Sequence, residues 1–349
     1  MGPSAPFPPR PHADAPALPD FGRSAGMTAL VTGGLGFIGQ GVCTQLLAAG
    51  WQVKVMDRQS DFYDPSIKEH RAEVLAAAGA NVVIGDVTAM DDPMVLHGVD
   101  VVFHLAGQPG VRQSWGPAFA TYARDNVLAT QRLLELAEAA GTRRVVYASS
   151  SSIYGEGHAH PAREADLPAP VSPYGITKLA GEHLLRAYSA RAGIETAILR
   201  YFTVYGPEQR PDMAFHRLID AALTGSPFTV NGTGRQLRDF TFVDDIVDAT
   251  ILAGTVPLDG NVTCNIAGGS SISLLEAIDA VGELVGTPVD VRRDAPQAGD
   301  VTRTEADTAL ARQLLGWQPT VAIAEGLQRQ VDWQRQKAGA RAAVARVGP

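Results

Sequence analysis

Long apolar runs are missing from this chain. Nothing in its 349 residues approaches the roughly 18–20 consecutive apolar positions a spanning helix needs, so no transmembrane helix is expected. Cysteine is scarce: Cys43 and Cys264 stand far apart in apolar contexts. That excludes a disulfide framework and reads as two buried, reduced thiols in a cytoplasmic protein. Basic charge is in deficit, with 29 Lys and Arg against 37 Asp and Glu and a net charge of −8. No electrostatic footprint for nucleic acid or an anionic membrane surface follows from that balance. The 8 histidines are scattered without metal-ligand spacing, so no metal is expected. No internal repeat stands out. Residues 1–26, rich in Pro, Ala and Gly, lack the apolar core of a signal peptide and read as a disordered tail. The chain opens Met-Gly, but Pro6 stands where a myristoylation signal wants Ser or Thr. Met27 directly precedes the first strand and is a candidate natural start, with the earlier residues an upstream extension or tag.

What is present begins at Leu30-Val31-Thr32-Gly33-Gly34-Leu35-Gly36-Phe37-Ile38-Gly39. An apolar β-type run, Thr28 to Thr32, feeds a turn with glycine at Gly33, Gly36 and Gly39. A helical pattern then aligns Phe37, Ile38, Val42, Leu46 and Leu47 on one side. Strand, glycine turn and helix N-terminus form an anion site, because free N–H groups and the positive end of the helix dipole point at the turn. Glycine lets a dinucleotide pyrophosphate approach the backbone. The spacing is Gly-x-x-Gly-x-x-Gly, a weak signal alone. A second strand, Gln52 to Met56, ends in Asp57, about twenty residues past the turn, where an acid hydrogen-bonds the adenosine ribose. A carboxylate there repels a 2′-phosphate, which favours NAD over NADP; Arg58 next door pulls the other way.

Apolar runs near 28–32, 52–57, 81–85, 100–105, 143–148 and 194–199 alternate with helical stretches near 37–49, 68–78, 121–140 and 173–192, and a short turn near 91–97. That rhythm predicts an α/β, Rossmann-like, doubly wound parallel sheet, with ligands at the carboxyl ends of its strands. Past about 200 the rhythm breaks into shorter elements among Pro207, Pro211, Pro227 and Gly-rich turns, with helices near 273–286, 305–315 and 323–338. The expected division is an NAD-binding domain at 27–203, with 238–255 returning to it. A smaller C-terminal α/β substrate-binding domain takes 204–237 and 256–338, and 339–349 is a tail.

The chemistry gathers after the fifth strand. Val145-Val146-Tyr147-Ala148 leads into Ser149-Ser150-Ser151-Ser152 and Ile153-Tyr154-Gly155. Ser172-Pro173-Tyr174-Gly175-Ile176-Thr177-Lys178 opens a helix, with Pro173 in its first turn. Tyr174 and Lys178, four apart, share one helical face. A free tyrosine titrates near pH 10, so a base working near pH 7 needs its pKa lowered by about 3 units, or roughly 4 kcal/mol. An adjacent ammonium and a positively charged nicotinamide supply such a shift. A serine hydroxyl from the strand end shares the substrate's proton.

With these residues the chain resembles the extended short-chain dehydrogenase/reductase family, specifically its nucleotide-sugar epimerases and dehydratases. The marks are the glycine turn, Gly85-Asp86-Val87, His104-Leu105-Ala106-Gly107, the serine run before Ile153-Tyr154-Gly155, and Tyr174 with Lys178. Later marks are Arg200-Tyr201-Phe202-Thr203-Val204-Tyr205-Gly206-Pro207 and Arg238-Asp239-Phe240-Thr241-Phe242-Val243-Asp244-Asp245. The resemblance covers Met27 to about Arg335. It implies that Gly33, Gly36, Gly39 and Asp57 hold a tightly bound NAD, with Asp86 and Val87 by the adenine and Leu105 and Ala106 by the cofactor's centre. It adds Phe37, Ile38, Arg58, Gly107, Asn126, Ala148 and Tyr201 to the cofactor lining. By the same likeness Ser150, Tyr174 and Lys178 are catalytic, with Tyr174 the base and Lys178 bonding the nicotinamide ribose. Arg238 grips the substrate diphosphate, and Arg112 and Asp300 join the substrate side. The family often has Arg where Gln297 stands, so a second phosphate contact is in doubt.

Dehydratases of the family carry an Asp-Glu pair before the Tyr-Gly, and decarboxylases a Glu two before that Tyr. Here those places hold Ser151 and Ser152, so a general acid for elimination is missing. What remains is redox-neutral 4-epimerisation of a UDP-sugar. Thr203, where neutral-hexose epimerases usually have Asn, and Gln209-Arg210-Pro211-Asp212-Met213 are similar to the UDP-glucuronate 4-epimerases, as is Gln108-Pro109-Gly110-Val111-Arg112 after the His104 motif. Hydroxyls at Ser151, Ser152 and Thr203 suit a C6 carboxylate, and Arg210 either balances that charge or serves the nucleotide. A UDP-hexose epimerase, a decarboxylase, a net reductase with exchangeable cofactor and a non-catalytic dinucleotide sensor are the rival readings. The family often pairs through two helices, here those near 121–140 and 173–192, which implies a homodimer.

Overall fold

A computed structural model describes residues 26–60, 62–156, 160–297 and 299–347, with side chains as far as 339. The expected tail at 1–26 lies, apart from Gly26, outside the described residues. Strand β1 (Thr28–Thr32), helix α1 (Phe37–Ala48), β2 (Gln52–Asp57), α2 (Pro65–Ala77), β3 (Asn81–Ile84) and β4 (Val101–His104) alternate as their apolar runs predict. Next, α3 (Phe119–Tyr122) passes through a π-helical turn, Ala123–Leu128, into α4 (Ala129–Ala140). Strand β5 (Arg144–Ser150), α5 (Pro173–Ala192) and β6 (Glu195–Tyr201) complete the first half. Ser172 caps α5 by accepting from Gly175 N at 3.1 Å, and Pro173 follows in the first turn, where a missing N–H costs nothing.

Shorter elements follow: β7 (Thr203–Tyr205), α6 (Ala214–Thr224), β8 (Phe228–Asn231), β9 (Leu237–Phe242), α7 (Val243–Thr255) and β10 (Asn261–Ile266). The chain continues through β11 (Ser271–Ser273), α8 (Leu274–Val285), β12 (Val291–Asp294), α9 (Ala309–Leu315) and α10 (Ile323–Val347). Seven strands form one all-parallel sheet in the order β10-β6-β5-β4-β1-β2-β3. The order reverses between β1 and β4, and the crevice beyond their carboxyl ends is the natural ligand site of such a sheet. Alternate residues of each strand serve opposite faces. Val31, Val55 and Phe103 pack with α1 and α7, while Leu30, Val102 and Val145 pack with α4 and α5.

Four expectations change. The 238–255 stretch splits: β9 lies between β7 and β11 in a three-stranded sheet, and α7 alone returns to the large sheet. It docks closely because Gly41 and Gly254 leave no room there; a Cβ would meet Val247 at 2.8 Å and Phe103 at 2.4 Å. The seventh strand comes instead from β10, inside the stretch 256–338 that reads as part of the smaller domain. The helix expected at 305–315 begins at Ala309, because backbone at 305 and 307 pairs with Ala162. The last helix runs on to Val347, through most of the expected tail.

Candidate active site

The glycine turn is folded tightly on itself. Gly33 has φ +73°, and a Cβ there would come within 2.7 Å of Ala106 N. A Cβ on Gly39 would lie 2.2 Å from Gly33 O, so α1 starts directly against the turn. Gly36 caps α1 without a side-chain acceptor, and the helix has no acid in its first turn. Its leading N–H groups are thus left for an anionic ligand. Phe37 is buried in the core below this turn and Ile38 packs against that core. Asp57, buried at the end of β2, accepts from Leu35 N at 3.0 Å and from Lys68 Nζ at 2.7 Å. A carboxylate has further lone pairs for ribose hydroxyls. These features fit a dinucleotide.

Arg58, expected on the cofactor, is held by acids: Nη1 lies 3.0 Å from Asp86 and Nη2 2.6 Å from Asp125. Burial raises Asp86's carboxyl, but hydrogen bonds from Thr88 and Arg58 outweigh it and leave it below the ordinary range. Val87 is buried beside it, opening a short 3₁₀ turn. With Arg58 neutralised from both sides, the reservation it raised against NAD loses force.

Ser150, Tyr174 and Lys178 converge where β5 ends against α5. Ser150 Oγ accepts from Ser152 N at 3.1 Å and is hydrogen-bonded to the Tyr174 hydroxyl. Burial pushes Tyr174 above its ordinary range, while the bond to Ser150 and the Arg210 charge pull it back in part. Lys178 Nζ donates to Ala148 O at 2.9 Å and sits 5.1 Å from the Tyr147 ring centroid; burial brings its pKa down to about 8. The ammonium is still charged at neutral pH.

Asn126, inside the π turn, braces this corner. It donates to Gln108 O at 3.1 Å and Thr177 Oγ1 at 3.0 Å, and accepts from Gln108 N at 2.7 Å. Gly107 passes so close that a Cβ would meet Asn126 Oδ1 at 2.7 Å and Lys178 Nζ at 3.4 Å. Leu105 and Ala106 complete that edge, Leu105 N donating to Thr32 O at 3.0 Å. A π turn gives up ordinary helical bonds, and such turns are frequent at functional sites. Below, Arg200 forms a fully buried pair with Glu182, at 2.9 and 2.8 Å, and Ser149 donates to Glu182 at 2.6 Å. This ties β5, β6 and α5 into a rigid floor.

The Tyr201 hydroxyl bonds Thr250 on α7 at 2.8 Å, and Tyr201 stands opposite Ser150 in the β5–β6 register. The substrate-side residues form two groups. Arg112 pairs with Asp300 at 2.8 Å, beside Arg238, which donates to Leu237 O and Val301 O at 2.8 and 2.7 Å. Burial lowers Arg238, and Asp300 and Glu156 act against that. In the other group, Ser151 and Ser152 form a half-buried 3₁₀ turn at the end of β5, and Thr203 starts β7 opposite Phe240. Arg210 pairs with Asp212 at 2.9 Å, its guanidinium 5.8 Å from the Phe62 ring centroid.

Sequence reasoning missed His104 as more than a motif letter. It is fully buried between Thr32 Oγ1 at 2.7 Å and Thr130 Oγ1 at 3.0 Å, and burial drops its pKa to about 3. It also passed over Lys68, Arg71, Tyr122 and Asp125. Their spacing carries no sign of what they face; Tyr122, for one, meets Tyr174 edge to face at 6.2 Å. Among the described residues no group of three or more His, Cys, Asp or Glu could hold a metal, and no helix is long and apolar enough to cross a membrane.

Residues 29–267 match the NAD dependent epimerase/dehydratase family. The chain belongs to this family. Its NAD-dependence agrees with the uncapped helix, the glycine turn and Asp57. A relative from Bacillus subtilis, named as an uncharacterised UDP-glucose epimerase, is 40% identical over 311 residues, 87% of this chain and 97% of its own. The solved UDP-glucuronic acid 4-epimerase of Bacillus cereus, with UDP-glucuronic acid and NAD, superposes with TM-score 0.86 at 38% identity, covering 89% of this chain and 100% of its own. The MoeE5 structure, also with UDP-glucuronic acid and NAD, superposes with TM-score 0.81 at 42% identity, covering 89% and 99%.

Proposed function

We propose that this protein is an NAD-dependent 4-epimerase of UDP-sugars, acting on UDP-glucuronate to give UDP-galacturonate. One observation carries the reading: Ser150, Tyr174 and Lys178 meet at the crevice, with hydroxyls and no carboxylate at Ser151 and Ser152. In this reading the Gly33–Gly39 turn holds the pyrophosphate, Asp57 the adenosine ribose, and Asp86 and Val87 the adenine. Leu105, Ala106, Gly107, Asn126 and Ala148 line the rest of the cofactor, and Lys178 bonds the nicotinamide ribose. NAD, when bound, takes up the C4 hydrogen with its electron pair and gives it back, so nothing is oxidised overall.

The chain's own part is proton handling and holding. Tyr174 takes the C4 hydroxyl proton, with Ser150 sharing that bond, and later returns it. Without cofactor the phenol is pushed up by burial, so a neutral Tyr174 is the resting form. The Lys178 ammonium stabilises the phenolate. Arg238 and Arg112 serve the diphosphate, whose planar contacts suit guanidinium. Ser151, Ser152 and Thr203 serve the C6 carboxylate, and Arg210 serves the nucleotide. Holding that carboxylate matters, because a uronate oxidised at C4 is a β-keto acid that tends to lose carbon dioxide. Fixed hydrogen bonds that keep the carboxylate bond near the carbonyl plane oppose the loss.

Within the same reading, 27–203 with α7 and β10 forms the NAD-binding domain and the remainder the substrate-binding part. The protein works in the cytoplasm, its two thiols buried, as a homodimer through α4 and α5, near which Leu128 and Ile176 are exposed. UDP-glucose is the second substrate to try, given the Bacillus subtilis relative's name. The test is NMR of products from UDP-glucuronate and UDP-glucose with protein as purified and no added NAD. UDP-galacturonate is expected; a pentose product, or turnover of UDP-glucose alone, overturns the choice of reaction or sugar.

A further inference from the structure

Arg71 belongs to no part of the reaction, yet it is buried on α2 with its side chain 5% exposed. Its Nη1 donates to Leu35 O at 3.1 Å, inside the glycine turn. Its Nη2 donates to Glu208 O at 3.0 Å and to a Glu208 carboxylate oxygen at 3.0 Å. One planar guanidinium thus spans a main-chain carbonyl of the cofactor turn and another from the loop that carries Arg210. Glu208 has φ +65°, the one non-glycine residue with positive φ among those described. A left-handed conformation in such a residue persists where its surroundings over-determine it. Arg71 and Trp333, whose Nε1 donates to Glu208 at 3.1 Å, supply that determination.

The loop is held on its far side as well. Gln209 donates to Val204 O at 3.1 Å and accepts from His216 N and Gln330 Nε2, both at 2.9 Å. The next residue, Arg210, sits over Phe62, which leads into α2. The helix that carries Arg71 therefore contacts the cofactor turn at one end of the guanidinium and the substrate loop at the other. Any shift of Leu35 on cofactor binding is transmitted through a rigid fork to Glu208 and Arg210.

We infer that Arg71 is a positioning residue that links the cofactor turn to the Glu208–Arg210 loop, so that dinucleotide and sugar nucleotide strengthen each other's binding. This rests on the reading of the protein as an NAD-dependent UDP-sugar enzyme. Linkage is reciprocal, so the effect of UDP on NAD measures it without turnover. Equilibrium dialysis of the full chain determines the NAD dissociation constant with and without saturating UDP, and records bound UDP in the same cells.

In the wild type UDP tightens NAD about fivefold or more; in Arg71→Met the factor falls below about twofold. Arg71→Lys behaves like Met, because one ammonium keeps the charge but cannot span both carbonyls. Glu208→Gln keeps most of the wild-type factor, because its main-chain carbonyl still accepts from Arg71. A purely structural Arg71 would lower thermal stability and leave the ratio of the two constants unchanged, and that result overturns the link. UDP bound without any effect on NAD in the wild type also overturns it. No bound UDP at all sinks the UDP-sugar reading and the link together.

Discussion

At the scale of single residues, burial sets the chemistry. His104 is the sharpest case: packed between two threonine hydroxyls, it is held neutral with a pKa near 3 against 6.5 when exposed. Between those values the unfolded chain binds the extra proton and the folded one does not. The stabilisation is complete above pH 6.5 and is lost as pH falls toward 3. At pH 4 the loss amounts to about 3 kcal/mol. His104→Gln, which keeps a polar contact to Thr130 but does not titrate, should lose less melting temperature than the wild type between pH 7 and 4. Parallel curves for the two proteins would refute this. Arg58 offers a second residue-scale outcome. Freed by Asp125→Asn and Asp86→Asn, its guanidinium becomes available to a 2′-phosphate beside Asp57. NADP affinity of that double variant should rise about tenfold relative to NAD, read by competition dialysis.

At the scale of elements, two departures from regular geometry build the crevice. The first is the turn into α1. A Cβ on Gly39 would lie 2.2 Å from the Gly33 carbonyl oxygen, and neither is a flexible side-chain end. Gly39→Ala must therefore move the helix off the turn, at a cost of roughly 1–3 kcal/mol for the overpacking. The expected outcome is protein purified with little NAD and a melting temperature lower by several degrees. Full NAD content measured by absorbance would contradict the account. The second is the π turn at Ala123–Leu128, which carries Asp125 to Arg58 and Asn126 to Gln108 and Thr177. The apolar spacing near 121–140 reads as plain helix because a single widened turn shifts the pattern too little to register.

At the scale of the whole molecule, the smaller sheet decides what lies over the crevice. Strand β7 follows β6 after a single residue, yet pairs with β9 instead of the large sheet. That brings Thr203 to the same end of the molecule as Ser151 and Ser152. Thr203→Ala and Ser151→Ala should each raise the fraction of decarboxylated product from UDP-glucuronate at least severalfold, with total turnover less affected. An unchanged ratio of epimer to pentose, read by NMR, would remove the carboxylate clamp from the proposal.

From the order of residues alone came the parallel sheet, the glycine turn, Asp57 and the pair of Tyr174 and Lys178, while the family resemblance singled Ser150 out of its serine run. Those signals are local: apolar period, turn chemistry and four-residue helical spacing act within a few residues and survive without knowing the neighbours. Contacts between distant segments escaped it. The fork of Arg71, the pairing of Arg58 with Asp125, the bond of Tyr201 to Thr250 and the recruitment of β10 to the sheet edge join residues tens of positions apart. Only the folded packing, in which burial and strand alternation select one partner among many, determined those.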